Sequence, residues 1–255
     1  MSAQACCCCG AALPSVLVTD SRGQVRLAKC EKCGNVADVY WSHGSLTTIV
    51  LIDILLHRPP AYRHLLCNFM PSEARRTELL CSALAVLVAC DVALKHSLAA
   101  VLRAEVPVGS SSGGNSSSTG AITPLQEIAL SNAWPLLSSL LEFACLSAVA
   151  SRVADALAGI EPRRSLPLVA EALLLSSVGK SFTLLLMIWR GEGFPYLFFG
   201  AAVELLTLSC NFCALRVLQL TSRQAAASLA VATTARGLLA ALLLLSAPKA
   251  YGGFG

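Results

Sequence analysis

Four cysteines near the amino terminus carry the clearest chemistry in this chain. Cys6-Cys7-Cys8-Cys9-Gly10 and Cys30-Glu31-Lys32-Cys33-Gly34 read as C-x2-C-x20-C-x2-C when Cys6, Cys9, Cys30 and Cys33 are chosen. Zn2+ takes four soft ligands in a tetrahedron, and two such knuckles supply four thiolates. All-cysteine ligation leaves no open coordination position, so the expected role of the ion is structural. A glycine after each second cysteine suits the tight turn that lets two thiolates face one ion. Cys7 and Cys8 lie inside the first pair, and the competing reading of the whole run is a free or acylated cluster.

A second polar set lies at residues 53–64. Asp53 and His57 are four apart and would share a helix face, and a carboxylate beside a histidine is a base arrangement. With His64 they would form a catalytic set. No nucleophile or metal-activated water has a place beside them, so the favoured reading is a polar edge that positions a helix and hydrogen-bonds the head. Arg58, Arg63, His64, Arg75 and Arg76, with Tyr62, make a basic and partly aromatic collar. Such a collar suits anionic headgroups, and Asp53, His57, Arg58, Tyr62, Arg63 and His64 are the expected lipid-contact residues. Positive-inside signalling accounts for the same basic residues.

These residues need elements to hold them. Residues 1–41 read as a small β-rich, zinc-ribbon-like head, with strands at 15–19, 24–27 and 36–41 and a turn at Asp20-Ser21-Arg22-Gly23. So small a unit lacks a sufficient core, and a metal would supply the missing stability. Residues 42–76 form an interfacial segment. Its apolar helix at 45–57 is too short to span and either lies in the interface or packs on other helices, and Arg58-Pro59-Pro60 ends it.

The remainder is built for hydrocarbon. Of 255 residues, 55% are hydrophobic and 13% charged, where soluble domains run near a quarter charged. Residues 77–249 read as a transmembrane bundle of about five spans, near 79–102, 125–150, 166–189, 194–218 and 225–247. A flexible Ser/Gly linker at 109–120 separates the first two. Asp91, Lys95, Glu142, Glu171, Lys180, Glu204 and Arg236 fall inside the spans. Glu142, Glu171, Lys180, Glu204 and Arg236 are costly in lipid, and serve either as a polar path for a headgroup or, on the other reading, as ion pairs between helices or residues near a span end. The fold expected is therefore mainly α, a multi-pass helical bundle with a small β-rich amino-terminal domain.

Met1 to Ala5 lacks the basic and apolar regions of a signal peptide, so targeting is expected from an internal span. Lysine and arginine placement puts the head in the cytosol and the carboxyl terminus in the lumen. A reducing cytosol keeps thiols free for metal, and the sequon Asn115-Ser116-Ser117 would be lumenal. The net charge of +4 is modest and sits beside apolar segments, which excludes nucleic acid as the expected partner. HExxH does not occur, GxSxG is matched only by Gly109-Ser110-Ser111-Ser112-Gly113 inside the low-complexity Ser/Gly linker, and no enzymatic activity is expected.

Cys30-Glu31-Lys32-Cys33, Val36-Ala37-Asp38-Val39-Tyr40, Leu51-Ile52-Asp53 and the run from Leu56-His57-Arg58-Pro59-Pro60 through Ala61-Tyr62-Arg63-His64-Leu65-Leu66-Cys67-Asn68 resemble the Arv family. The likeness covers residues 6–68. It implies an endoplasmic-reticulum membrane protein of sterol and lipid homeostasis, with a zinc-binding head known as the Arv homology domain. Sterol uptake, trafficking and distribution are implied, with links to sphingolipid metabolism and to glycolipid-anchor precursors. Implied partners are membrane lipids, sterols first, and lipid-synthesising or anchor-assembling enzymes. A scaffold that regulates such enzymes without carrying lipid is the alternative. The four consecutive cysteines, Cys67, Trp41-Ser42-His43-Gly44 and the Ser/Gly linker depart from the family pattern.

Overall fold

Two short hairpins shape the head of the computed structural model, which describes residues 4–41, 48–69, 73–105, 124–158, 166–183 and 196–246. β1 (Gln4–Ala5) pairs antiparallel with β2 (Ala12–Leu13), and β3 (Leu17–Thr19) with β4 (Val25–Leu27). The first hairpin wraps the first cysteine pair; two-residue strands carry no alternation for a sequence reading to find. The second follows the expected pairing. Asp20 organises its turn by accepting from the Arg22 and Gln24 amides, and Gly23 takes a φ of +76°. The strand expected at 36–41 does not form. Val36 makes a single bridge to Lys29, and Asp38 Oδ1 then accepts from the Tyr40 amide at 2.9 Å, which bends the backbone where a strand would continue.

α1 (Thr48–Leu55) occupies the middle of the expected 45–57 helix; residues 42–47 lie outside the described residues. Its end is a Schellman motif: the His57 amide donates to Ile54 and the Arg58 amide to the Asp53 carbonyl, both at 2.9 Å. His57 occupies the left-handed position usually given to glycine, with φ +58°. Pro59 and Pro60 then open α2 (Pro59–Arg63), where their missing amides cost nothing. A π turn, His64–Asn68, follows, closed by the Phe69 amide donating to the His64 carbonyl.

Long helices make up the rest: α3 (Glu73–Glu105), α4 (Pro124–Ala158), α5 (Leu166–Ser176), α6 (Tyr196–Val217) and α7 (Ser222–Leu245). Four stretches among the described residues are long and apolar enough to cross a membrane: Arg76–Ser97, Ala133–Leu157, Phe198–Val217 and Ser222–Leu245. The span expected at 166–189 is not one continuous α-helix. After Ser176 it tightens into a 3-10 turn, Ser177–Ser181. The Ser177 hydroxyl donates back to the Leu173 carbonyl at 2.6 Å, a competition that bends helices, while the Ser176 hydroxyl makes its shorter bond, also 2.6 Å, to Asn211 Oδ1 on α6. Residues 184–195 and the 109–120 linker with its sequon lie outside the described residues.

Small side chains let α4 and α7 approach closely, with Ala150 and Ala154 in one buried cluster with Ala225 and Ala232. Thr221 and Gln224 form a reciprocal capping box at the start of α7, and Gln224 Nε2 also donates to the Leu157 carbonyl at the end of α4. A second cluster joins Tyr40 of the head, Val50 and Ile54 of α1, Tyr62 and Leu65, Leu175 of α5 and Ala214 of α6. Head, interfacial segment and bundle therefore share one apolar core. The chain is a mainly helical membrane protein with a small strand region at its amino terminus.

Candidate metal centre and its buried latch

Each cysteine pair is shaped by the same backbone device. The Gly10 amide donates to the Cys6 carbonyl and the Gly34 amide to the Cys30 carbonyl, both at 2.8 Å. Both glycines are left-handed, with φ of +77° and +73°. A side chain at either position would strain the turn. The two knuckles face each other. Sγ of Cys6 lies 3.7 Å from Sγ of Cys33, Sγ of Cys9 lies 3.6 Å from Sγ of Cys30, and all four sulfurs fall within 4.8 Å of one another. All twelve cysteines are free thiols. A tetrahedral ion with metal–sulfur bonds of about 2.3 Å sets sulfur–sulfur edges of roughly 3.8 Å, so the four side chains fit one metal ion. The Cys33 amide, ahead of the Lys32 amide, draws the Cys30 thiol down to about 7 against its burial, whereas burial raises the Cys6 thiol and, against the Asn35 amide, burial with the neighbouring sulfurs raises that of Cys33.

The register within the cysteine run is resolved by where the middle pair points. Cys8 is exposed and accepts from Asn35 Nδ2 at 3.2 Å. Cys7 is buried on the other side of the loop. Burial, then the charge of Asp38, pushes its thiol well above the ordinary range, so it stays protonated.

Cys7 belongs to a second cluster that sequence reading did not find. Asp38 Oδ2 accepts from His64 Nδ1 at 2.7 Å and from Asn68 Nδ2 at 2.8 Å. A carboxylate only accepts, so the proton of that pair sits on Nδ1. Asn68 also holds β1: its Oδ1 accepts from the Ala5 amide at 2.9 Å, and its Nδ2 donates to the Ala5 carbonyl at 2.8 Å and lies 3.3 Å from Cys7 Sγ. Asp38 is fully buried and His64 is 1% exposed. Burial works to raise the Asp38 pKa, but the His64 bond and charge, then Asn68, hold it below its ordinary value. The π turn matters because it turns His64 and Asn68 together toward the head. Around this centre Tyr40 Oη donates to Asp53 Oδ2 at 2.7 Å, and Tyr62 Oη to the Ile54 carbonyl at 2.8 Å. Arg63 Nη1 donates to the carbonyls of Cys7 and Cys8, both at 2.8 Å. The result is a latch that fixes the cysteine head onto the membrane segment.

This placement corrects the expected lipid-contact set. Asp53, Tyr62 and His64 are buried among protein groups, and Arg63 reaches into the head. His57 Nε2 lies 2.7 Å from Ser209 Oγ on α6, because the left-handed turn swings it off the α1 face that carries Asp53. Asp53 pairs instead with Arg58, at 3.3 Å. Of the six, Arg58 alone is well exposed, at 62%. The catalytic grouping of Asp53, His57 and His64 thus separates into three side chains with three different partners. Tyr40, Asp38, Asn68 and Cys7 are the residues that sequence reading missed. Asp38 and Tyr40 lie in a quoted motif, but nothing local connects residue 38 to residue 64.

Within the bundle, the charged residues of the spans pair with one another. Lys95 contacts Asp91 at 3.2 Å and Glu142 at 2.8 Å. Lys180, on the 3-10 turn, contacts Asp91 at 2.6 Å and Glu204 at 3.2 Å. Arg236 contacts Glu142 and Glu204, each at 3.3 Å. Three cations and three carboxylates from five helical segments balance, and Arg76 pairs with Glu171 nearer the head. Of the two readings of these charges, ion pairing between helices is the one the geometry displays.

The profile of the Arv1-like family matches residues 5–215, most of the chain, including both knuckles, the latch and the bundle as far as α6. The chain belongs to the Arv1-like family. Protein ARV 2 of Arabidopsis thaliana is 41% identical over 75 residues, 29% of this chain and 32% of that protein. Protein ARV 1 of the same plant is 43% identical over 63 residues, a quarter of each chain. Protein ARV1 of Eremothecium gossypii is 37% identical over 70 residues, 28% of this chain and 22% of that protein. These alignments span a third or less of each relative. No solved structure matches the chain. The Arv1-like match indicates no enzymatic family.

Proposed function

We propose that this chain is a non-enzymatic mediator of sterol and lipid distribution in the endoplasmic-reticulum membrane. In this reading it acts in sterol uptake, trafficking and delivery into membranes, with effects on sphingolipid metabolism and glycolipid-anchor precursors. The observation that carries it is the continuity between head and bundle. Four cysteine sulfurs converge where one metal ion would fix the head, the Asp38–His64–Asn68 latch locks that head to residues 59–68, and the same segment packs on α5 and α6. Zn2+ is the ion that best fits four free thiolates at tetrahedral spacing; held by Cys6, Cys9, Cys30 and Cys33, it supplies folding stability and no reactive position. In this reading the head is cytosolic and the carboxyl terminus lumenal, in keeping with a reducing compartment for thiolate ligands and with the basic residues beside the segment. Arg58, paired with Asp53 yet well exposed, is the described collar side chain placed to meet anionic headgroups.

Sterol binding and transfer between liposomes by the purified full-length chain, compared with Cys30→Ser/Cys33→Ser, tests the reading. Transfer by wild type that the double variant loses supports it. Absence of binding and transfer, with copurification of a lipid-synthesising or anchor-assembling enzyme, favours the scaffold instead.

A further inference from the structure

Side chains do not fill the space among the spans completely. A cavity of about 20 Å3 lies between them, and all four spanning stretches line it together with the 3-10 turn. A site needs about 10–15 Å3 to admit one water molecule, so this one has room for a single water. Five of the six residues of the charge cluster reach its wall: Asp91, Glu142, Lys180, Glu204 and Arg236. Leu87, Leu146 and Leu208 supply much of its apolar part.

One polar group at this wall is unanswered. Asn211 of α6 lines the cavity and is 1% exposed, and its Nδ2 is buried with no hydrogen-bond partner among the described residues. Its Oδ1 accepts from the Ser176 hydroxyl at 2.6 Å, which holds the amide in place. A buried amide donor without an acceptor is costly, and a ligand that accepts from it removes that cost. Acceptors stand at the same wall. The Thr207 hydroxyl gives its proton to the Val203 carbonyl at 2.8 Å, and the Ser177 hydroxyl gives its own to Leu173, so both oxygens keep lone pairs. Charge decides what can sit there. Asp91, Glu142 and Glu204 are matched by Lys180 and Arg236 together with Lys95, which contacts Asp91 and Glu142. An added ion would bring uncompensated charge into a low-dielectric interior. A neutral molecule that both accepts and donates meets no such penalty, and at this size that molecule is water.

We propose that this cavity binds one internal water molecule, which accepts from Asn211 Nδ2 and donates to the hydroxyl and carboxylate oxygens around it. The water is then the hub of the charge cluster, a polarisable partner that helps its members stay ionised within the spans. The proposal goes beyond the lipid-handling reading and does not rest on it.

X-ray hydroxyl-radical footprinting of the purified full-length chain in phosphatidylcholine nanodiscs tests it. Radicals formed inside a bilayer arise from water beside the side chain that they oxidise. Leu87, Leu146 and Leu208 at the cavity are expected to be oxidised well above Leu238 and Leu242, which are exposed on the lipid-facing side of α7. Asn211→Leu, close in shape but without the donor, should lower that oxidation about tenfold, the factor that one buried hydrogen bond sets. Asn211→Ser keeps a polar group, enlarges the cavity and should retain the oxidation. Should Asn211→Leu fail to assemble, Thr207→Val removes an acceptor at constant shape and should lower the oxidation severalfold. Oxidation of the three cavity leucines no greater than that of Leu238 and Leu242 overturns the proposal. So does equal oxidation in wild type and in the assembled Asn211→Leu or Thr207→Val chain, or an equal loss in Asn211→Ser and Asn211→Leu. Oxidation that appears only in salt-free buffer would assign the cavity to an ion and overturn it as well.

Discussion

The latch under the head and the charge cluster in the bundle both bury ions, but they do so by different means. At the latch a single carboxylate, Asp38, is surrounded by directed donors from His64, Asn68 and its own turn. In the bundle six charges of both signs share partners, and each cation touches more than one carboxylate. The first arrangement has no spare partner and depends on the head being folded. The second is redundant, so loss of one member leaves others to compensate. Rigidity is therefore concentrated at the membrane surface, and the bundle is held by interchangeable contacts.

That contrast breaks first at the metal. Cys30→Ser/Cys33→Ser removes two of four ligands, and structural zinc contributes about 10–16 kcal/mol to small domains of this kind. The head is expected to unfold and become protease-sensitive while the bundle keeps its helical circular dichroism. Simultaneous loss of the helices would show that the bundle is not independent of the head.

His64→Ala sharpens the comparison without touching a ligand. It leaves Asp38 buried with its main partner gone, a loss of about 3–5 kcal/mol for a buried pair. Denaturant titration should show the drop, with metal content retained. The same pair predicts a pH effect. Asp38 has a folded pKa below its ordinary value. Its contribution is therefore complete above the unfolded value near 4 and is lost as pH falls through the lower folded value. Pepsin digestion between pH 5 and 2 should show wild type opening below about pH 4. Asp38→Asn should show a smaller acid loss, the remainder belonging to protonation of the four metal-ligand thiolates.

Lys180→Glu and Glu204→Lys test the redundant cluster. Each single reversal is expected to cost about 3–5 kcal/mol, as breaking a buried pair does, and the double reversal to recover only the 180–204 share of it, since Asp91 and Arg236 still face like charges. No recovery at all in the double variant would contradict a direct Lys180–Glu204 contribution. Tyr62→Phe is the smallest change: it removes the Oη donation to the Ile54 carbonyl and should cost about 1 kcal/mol.

How much of this was legible in the sequence follows the range of each interaction. The knuckles were legible because C-x2-C-G specifies its own turn, and the chosen register places all four sulfurs together. The β3–β4 hairpin and the four spans were legible from turn residues and apolar length. The stop at Arg58-Pro59-Pro60 was legible, but the left-handed His57 that makes it was not, since glycine is the usual signal there. Tyr62 and His64 looked like headgroup residues because an amphipathic side chain near a membrane carries no mark of which way it faces. Their inward partners, Ile54 and Asp38, are set by the docking of the head. The break in the 166–189 span was hidden because serines are tolerated in apolar helices, and neither the backward bond of Ser177 nor the Asn211 partner of Ser176 is marked locally.

The most direct measurement is X-ray absorption with elemental analysis on the purified full-length chain. The account predicts one zinc ion per chain with four sulfur neighbours at about 2.3 Å. Substoichiometric metal in folded protein, or a shell containing nitrogen or oxygen, would contradict it.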